Sequence, residues 1–88
     1  MDIQHEIASF LTNTLKVAAA PEQLNPDASL VEEYAVDSAG LFEMILWLED
    51  RFSLHVPPED LDLPNFATIR AAAAYVERAR RTAGEVAP

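Results

Sequence analysis

Ser38 is the residue of this sequence best placed to do chemistry, because it follows an aspartate and opens a stretch with helical periodicity. A serine nucleophile of the elbow type needs the pattern Gly-x-Ser-x-Gly. Residues 36–40 read Val-Asp-Ser-Ala-Gly, which lacks the first glycine. The only histidines, His5 and His55, show no spacing that links either of them to Ser38. Self-contained serine catalysis is not expected, and the chain is predicted not to be an enzyme.

Ser38 also has the position of a modification site. A helix N-terminus favours a phosphate, because its free amides and its dipole both attract negative charge. Asp37 is a good N-cap for that helix, since its carboxylate can accept amide hydrogens of the first turn. The residues alone leave two interpretations open: Ser38 is a capping residue, or it is the attachment point of a phosphodiester.

Metal and thiol chemistry are not expected. The chain has no cysteine, and no 12-residue window offers the alternating ligands, central glycine and closing glutamate of a calcium loop. A dedicated metal site is not predicted from the carboxylates that come nearest to one, which are Glu32, Glu33, Asp37, Glu59, Asp60 and Asp62.

Charge narrows the class of partner. The 88 residues carry a formal net charge of −9, with a pI near 4.4. Such acidity argues against binding to nucleic acid or to anionic membranes and favours partners with basic patches. Residues 32–62 hold nine acids against one base, Arg51. The chain begins without a basic leader and has no apolar run of 18 residues, so we expect a cytoplasmic protein that does not enter membranes.

Helical periodicity predicts the first element from Ile3 to about Lys16. Pro21 and Pro26 then exclude a continuous helix, so residues 17–37 are predicted to form a long loop. The predicted inward face of the first helix consists of Ile3, Ile7, Phe10, Leu11 and Thr14, and the predicted anchors of the loop are Leu24, Leu30, Val31 and Tyr34.

A second helix is predicted from Ser38 to about Phe52. Its core face has Leu41, Ile45, Leu48 and Phe52, with Met44 beside it. Apolar and acidic residues alternate on the other side, which favours a docking surface for a partner, although Phe42 and Leu46 could instead pack under the long loop. The candidate partner-binding residues are Ala39, Phe42, Glu43, Leu46, Glu49 and Asp50. The pattern leaves open whether Trp47 belongs to the core or to that surface.

Prolines divide the last third of the chain. A short helical turn is predicted at 58–61 and is expected to end by Pro64. Thr68 is the predicted cap of a last helix from Ile69 to about Arg81, with Ile69, Ala72, Ala73 and Val76 facing inward. We therefore expect one all-α domain over residues 1–88, with three main helices, one short helix and a long first loop. Its core spans about 3–81, and 82–88 form a flexible tail.

The spacing of four short motifs resembles the acyl carrier protein family, including the peptidyl carrier proteins. These motifs are Asp37-Ser38, Leu48-Glu49-x-x-Phe52, Val56-Pro57 and Thr68-Ile69, and the resemblance covers about residues 3–80. It implies a four-helix bundle whose Ser38 receives 4′-phosphopantetheine from coenzyme A through a phosphopantetheinyl transferase. The terminal thiol of that arm carries acyl or aminoacyl groups as thioesters.

The resemblance also implies partners: an acyl- or aminoacyl-loading enzyme, and downstream synthases, transferases or tailoring enzymes, all served by a monomeric carrier. The long stretch at 63–66 looks more like discrete carriers of polyketide and nonribosomal peptide (antibiotic) biosynthesis. Two residues depart from the family pattern, Ala39 where leucine is usual and Ala35 where glycine is common. Ala39 keeps an alternative open, namely an acidic helical interaction module with the same fold and no prosthetic arm.

Overall fold

Helices account for the regular structure of residues 2–61 and 63–86, which the computed structural model describes. The α-helices are α1 (Ile3–Asn13), α2 (Ser38–Phe52), α3 (Leu63–Phe66) and α4 (Ile69–Val86). Single 3-10 turns at Pro21–Gln23 and Pro58–Asp60 complete the described elements, and no strand occurs among them. The predicted all-α architecture is confirmed.

α1 and α2 run antiparallel, as three contacts along their length show. The Arg51 guanidinium lies 2.7 Å from the Glu6 carboxylate, and the Phe10 and Trp47 rings stack with centroids 4.7 Å apart. At the other end, Leu15 lies beside Gly40. Because residue numbers rise along α1 as they fall along α2, the start of α2 lies beside the end of α1.

α1 ends three residues earlier than predicted, and the reason is local. Lys16 has a φ of 62°, a left-handed conformation that a helix cannot contain. Thr14 is therefore the C-cap residue, and it is exposed where the periodicity predicted an inward face. The other four predicted inward residues of α1 are buried.

The long loop between α1 and α2 is tied to the start of α4. The Leu30 amide donates to the Ala67 carbonyl at 2.9 Å, and the Arg70 amide donates to the Pro26 carbonyl at 3.0 Å. The Arg70 side chain also pairs with Asp27 at 2.5 Å. This ion pair lowers the pKa of Asp27 and raises that of Arg70. These contacts fix a loop that the sequence only predicted to be irregular.

Three of the four predicted loop anchors reach the core. Leu24 and Leu30 are buried and Tyr34 is half-buried, but Val31 is 42% exposed. The chain makes a helical turn here, because the Glu33 amide donates to the Ser29 carbonyl at 2.8 Å. In such a turn residues 30 and 34 share a face while residue 31 points away, so the prediction for Val31 was wrong.

The last third differs from prediction at two places. Pro64 lies inside α3 instead of ending a short helix, which is permitted because the first turn of a helix needs no amide donor there. Thr68 caps α4 as predicted, with its Oγ1 accepting from the Ala71 amide at 3.0 Å. α4 then continues to Val86, so residues 82–86 are helical where a tail was expected. Residues 87–88 of that expected tail lie outside the described residues.

The core draws on every α-helix and on the long loop. On α2, Met44 is fully buried, whereas Leu41, which was predicted to lie on the core face, is only half-buried. Each fully buried side chain of this size contributes roughly 1.5–3 kcal/mol. The largest of them are Phe66, Ile7, Leu11, Leu30, Met44, Leu48, Ile69 and Val76.

Candidate functional site

Ser38 is the first residue of α2, and it is exposed. The capping role belongs to its neighbour, because Asp37 Oδ1 accepts the Gly40 amide at 2.8 Å. The predicted cap is therefore confirmed, and the Ser38 hydroxyl is not the group that closes the helix end. A free hydroxyl at a helix N-terminus is available for modification in a place where the dipole favours added negative charge.

Gly40 explains how the start of α2 can pack so closely against the rest of the bundle. A Cβ at this position would meet Val36 Cγ1 at 3.0 Å, Asp37 Oδ1 at 3.3 Å and Leu15 Cδ1 at 3.5 Å. Glycine in a helix costs up to about 1 kcal/mol relative to alanine. Here that cost allows a close approach between the helix and the segment that leads into it.

The segment before α2 is fixed by its own backbone. The Val36 amide donates to the Leu30 carbonyl at 3.0 Å, and the Val36 side chain is buried. Ala35 has a φ of 56°, a left-handed conformation that favours glycine. The position where the family commonly has glycine thus has the geometry that glycine serves. Sequence reasoning did not identify Val36 as a core residue.

Five of the six candidate partner-binding residues face solvent on α2. Phe42 is 53% exposed and Leu46 is 49% exposed, so neither packs beneath the long loop. Ala39, Glu43 and Asp50 are also exposed. Large apolar side chains beside carboxylates form a surface suited to a partner that is both apolar and basic.

Glu49, the sixth candidate, has a partner within the chain. Its Oε2 accepts the Val56 amide at 2.8 Å and lies 3.5 Å from His55 Nδ1. The Glu49 carboxylate therefore holds the turn that follows α2, a contact that the sequence did not indicate.

Trp47 belongs to the interior side of α2. Besides its stack on Phe10, its ring meets Phe52 edge-on with centroids 6.0 Å apart. The indole is half-buried between α1 and α2, which resolves the alternative that the sequence left open.

Both histidines lie at the end of the α1–α2 pair opposite to Ser38. His5 is in the first turn of α1, and His55 follows the end of α2. Since α2 has 15 residues, about 20 Å of helix separates that end from Ser38. Neither imidazole can act as a base for the serine in this arrangement.

Two further features of the described residues bear on function. Within 2–61 and 63–86, no group of three or more His, Cys, Asp or Glu side chains is placed to hold a metal ion. None of the described helices combines the length and the apolar character needed to cross a membrane.

Tyr75 links α4 to the turn after α2. Its hydroxyl donates to Asp60 Oδ2 at 2.8 Å, and its ring packs on Phe66 at 5.0 Å. Burial and the hydrogen bond to the nearby carboxylate raise the pKa of Tyr75 to about 12. This contact joins the 3-10 turn at Pro58–Asp60 to the helix that packs beneath it.

Fold and site together define a small all-α bundle that displays one serine hydroxyl at a helix start, beside an apolar and acidic helix face. A family model described as the phosphopantetheine attachment site matches residues 6–76 of this chain. An acyl carrier protein of Nitratidesulfovibrio vulgaris is 30% identical over 77 residues, which cover 88% of this chain and 96% of that protein.

Two further comparisons point the same way. An acyl carrier protein of Streptomyces coelicolor is 36% identical over 58 residues, covering 66% of this chain and 61% of that protein. The solved structure described as KstB-PCP (apo) superposes with a TM-score of 0.63 at 32% identity, and covers 86% of this chain and 84% of that one.

The chain belongs to the family of acyl and peptidyl carrier proteins, whose members bear covalently attached 4′-phosphopantetheine. The resemblance read from the four sequence motifs is confirmed, and so is the cofactor that it implied. The protein is a carrier that works through this prosthetic group and interacts with a phosphopantetheinyl transferase and with biosynthetic enzymes.

Proposed function

We propose that Ser38 is the attachment point of the phosphopantetheine arm and that acyl or aminoacyl groups travel on it as thioesters. The observation that carries this proposal is that two neighbouring residues have different roles at the start of α2. Asp37 closes the helix end, while Ser38 stays exposed at the same N-terminus. Once bound, the arm supplies a terminal thiol, which this cysteine-free chain does not itself contain.

The attachment step is a phosphoryl-group transfer with coenzyme A as donor. The Ser38 oxygen forms a bond to the phosphorus of the phosphopantetheinyl group, and the bond from that phosphorus to the departing phosphate oxygen breaks. Adenosine 3′,5′-bisphosphate leaves, and the hydroxyl proton passes to a base of the transferase. The new phosphodiester carries one negative charge beside the positive end of the α2 dipole, which favours the product.

The exposed residues of α2 are the proposed contact surface for the transferase and for the enzymes that load and process the cargo. Phe42 and Leu46 would supply apolar contact area, while Glu43 and Asp50 attract basic partners. Ala39 offers a small contact next to the attachment point. We assign Glu49 to the support of this surface, because its carboxylate binds the Val56 amide.

We infer that the chain does no chemistry of its own and that partner enzymes load and remove the cargo. The distance of both histidines from Ser38 supports this. A role in polyketide or nonribosomal peptide biosynthesis is the pathway context we favour, because the similar solved structure is described as a PCP.

Intact mass after incubation with coenzyme A and a broad-specificity transferase tests the proposal. The wild-type chain is expected to gain one phosphopantetheinyl group, and Ser38→Ala is expected to gain none. Ser53→Ala is the matched control, since it removes an exposed serine from the other end of α2 and should be modified like the wild type. An unmodified wild type would favour the interaction module without a prosthetic arm. A modified Ser38→Ala would show that the arm is attached to a residue other than Ser38.

A further inference from the structure

The second half of α4 carries a basic patch on a chain that is otherwise acidic. Three of the five arginines of the sequence, Arg78, Arg80 and Arg81, fall within four consecutive residues of this helix, and all three are exposed. With the single acid Glu77 they give residues 77–81 a formal charge of +2, against −9 for the whole chain. This α4 arginine patch, defined by the three arginines, therefore has the opposite sign to the exposed acids of α2.

Aromatic rings position two arginines of the patch. The Arg80 guanidinium lies over the Phe52 ring and the Arg78 guanidinium lies over the Tyr75 ring, each 5.7 Å from the ring centroid. Contact with a ring face restricts the long side chain but leaves the N–H groups at the edge of the guanidinium plane available. An arginine held in this way loses less conformational freedom when it binds a carboxylate through two parallel hydrogen bonds.

Within the part of the chain that the structure describes, no ion pair engages the α4 arginine patch. The ion pairs there involve Arg51, His55 and Arg70. Arg51 lies over the same Phe52 ring as Arg80, but its guanidinium is paired with the Glu6 carboxylate at 2.7 Å. The charges of the patch are thus directed to solvent, where they are available to an anionic partner.

The α4 arginine patch and the proposed attachment point are at opposite ends of α2. Arg80 lies over Phe52, the last residue of α2, and Ser38 is its first residue. The 15 residues of α2 separate these two by about 20 Å. Because the Debye length at physiological ionic strength is only about 8 Å, a charge bound at one end is largely screened from the other. The two surfaces can therefore be occupied independently.

We propose that the α4 arginine patch binds an acidic segment of a partner protein, which retains the carrier in a complex while Ser38 stays free for the enzymes that act on its arm. Binding at the patch does not depend on the arm, whereas its use as a tether rests on the proposed attachment at Ser38. The occupant is an acidic peptide segment, because three guanidinium groups on one stretch of helix can bind several carboxylates at once.

The net charge of the chain favours a short segment over an extended polyanion. A nucleic acid or an anionic membrane would extend beyond the patch and meet the acids that give the whole chain its charge of −9. A short segment confined to the patch meets only the local charge of +2 at residues 77–81, because the more distant acids are screened. Charge therefore favours a protein partner with a local run of Asp or Glu.

A tether of this kind is weak and salt-sensitive. Exposed ion pairs contribute little individually and are screened by salt, so the acidic segment exchanges readily with solvent. Even weak binding raises the effective concentration of the carrier beside the other sites of its partner. The patch would thus supply proximity without blocking the face of α2 that begins at Ser38.

Amide spectra of the isotope-labelled chain, titrated with a short synthetic peptide of alternating glutamate and alanine, test the binding. The signals of residues 77–81 are expected to shift, whereas those of residues 38–50 should stay in place. The same peptide with glutamine instead of glutamate should shift neither group. Shifts of equal size around Lys16 and Arg70 would overturn the patch as a site, because the peptide would then be attracted to any exposed cation.

Substitutions within the patch should weaken binding of the glutamate peptide. Arg81→Gln, which leaves the contact between Arg80 and Phe52 intact, should lower the affinity roughly two-fold, and adding Arg80→Gln should bring the loss to roughly five-fold. Lys16→Gln is the matched control, since it removes one exposed positive charge outside α4 and should leave the affinity unchanged. Circular dichroism checks that each variant is folded. Equal losses for Arg81→Gln and Lys16→Gln would refute the patch.

The rate at which a transferase modifies Ser38 tests whether the two surfaces are independent. With the glutamate peptide filling the patch, this rate should be unchanged relative to the variant that lacks Arg80 and Arg81, a comparison that corrects for peptide bound to the transferase. A rate that falls only in the wild type would overturn simultaneous occupation. A chain that binds the peptide but takes no arm at Ser38 would overturn the proposed function and the tether, but not the binding.

The remaining occupants are distinguished by two further measurements on the same proteins. Sedimentation with phosphatidylglycerol vesicles at physiological salt should leave the chain in solution, and analytical ultracentrifugation should show a monomer. Vesicle binding or self-association that is lost when Arg80 and Arg81 are replaced would assign the patch to a membrane or to a second copy of the chain. Either result would overturn the proposed acidic segment as its occupant.

Discussion

Ala35 occupies a left-handed backbone conformation, with a φ of 56°, two residues before the cap of α2. An L-residue with a Cβ is strained there by roughly 1–2 kcal/mol, whereas glycine is not. The strain lies in the segment that presents Ser38, and the surrounding hydrogen bonds maintain it. One substitution should relieve it.

Ala35→Gly is expected to raise the free energy of unfolding by about 0.5–1 kcal/mol. The gain is the relieved strain minus the additional chain entropy that glycine brings to the unfolded state. Urea unfolding monitored by circular dichroism measures it. Ala18→Gly, an exposed loop position without a left-handed φ, should instead lose stability. Equal losses at both positions would show that residue 35 is not strained.

The residues with a left-handed backbone are a feature of the fold that could not be predicted from the sequence. Lys16, Ala35 and Ser53 all have positive φ. None of them is glycine, so their residue types did not predict a left-handed backbone. Lys16 shortens α1 relative to its periodic pattern, because the apolar spacing reports a buried face and not where the backbone leaves the helix.

At the scale of the elements, α2 was predictable and its surroundings were less so. Its bounds, Ser38–Phe52, follow from a capping aspartate, a periodic apolar face and the prolines beyond its end. The length of α4 was underestimated, because no proline occurs at residues 82–86 and the one glycine there, Gly84, does not stop a helix. The contact between Glu49 and Val56 depends on how the chain turns after α2, which spacing cannot report.

Glu49 and Asp50 are adjacent acids with different expected roles. Replacing each of them with alanine should therefore change the free energy of unfolding by different amounts. Glu49→Ala is expected to lower the free energy of unfolding by about 1–2 kcal/mol, because a hydrogen bond to a charged acceptor is lost. Asp50→Ala, at an exposed position, should change it by less than about 0.5 kcal/mol. Thermal and urea unfolding measure both. If Asp50→Ala were the more destabilising of the two, the support role of Glu49 would be refuted.

The contact between Tyr75 and Asp60 should make the joint between α4 and the Pro58–Asp60 turn sensitive to alkali. The pKa of Tyr75 is raised from 10.0 to about 12, so its folded environment favours the protonated phenol. This contribution to stability is fully present below pH 10 and is lost as the pH rises from 10 to 12. Tyr75→Phe should not show that loss. The difference in the free energy of unfolding between the wild type and Tyr75→Phe should therefore decrease from pH 10 to pH 12.

Urea unfolding at intervals between pH 9 and pH 12 measures the gap. Tyr34→Phe is the control, since it removes a tyrosine whose hydroxyl instead accepts the Asn25 amide at 2.8 Å. A gap between wild type and Tyr75→Phe that stays constant up to pH 12 would show that the phenol and the carboxylate are not coupled.

At the scale of the whole molecule, the charges are arranged along the bundle. The molecule measures 44 × 27 × 20 Å. The exposed acids of α2, Glu43 and Asp50, follow Ser38 along the helix, and Arg51 and Arg80 both lie over the Phe52 ring at the end of α2, 5.2 and 5.7 Å from its centroid. A basic partner approaching this field is turned towards the acidic face that runs from the attachment point.

This arrangement predicts that charge and apolar contact act on different rate constants of binding. Replacing Glu43 with Gln and Asp50 with Asn should lower the association rate with a phosphopantetheinyl transferase several-fold at low salt, because steering is lost. The salt dependence of that rate should weaken as well. Phe42→Ala should leave the association rate and its salt dependence nearly unchanged and should raise the dissociation rate roughly five-fold, as expected for a contact worth about 1 kcal/mol.

Stopped-flow binding at two ionic strengths distinguishes these outcomes. Glu77→Gln is the control for the charge change, since Glu77 is exposed on α4 and away from Ser38. If Glu77→Gln slowed association as much as either α2 acid replaced singly, the total charge of the molecule would be steering the partner. If only the α2 acids mattered, the acidic excess of residues 32–62 would act as a local guide that brings the transferase to α2, after which the exposed phenyl ring of Phe42 holds it there.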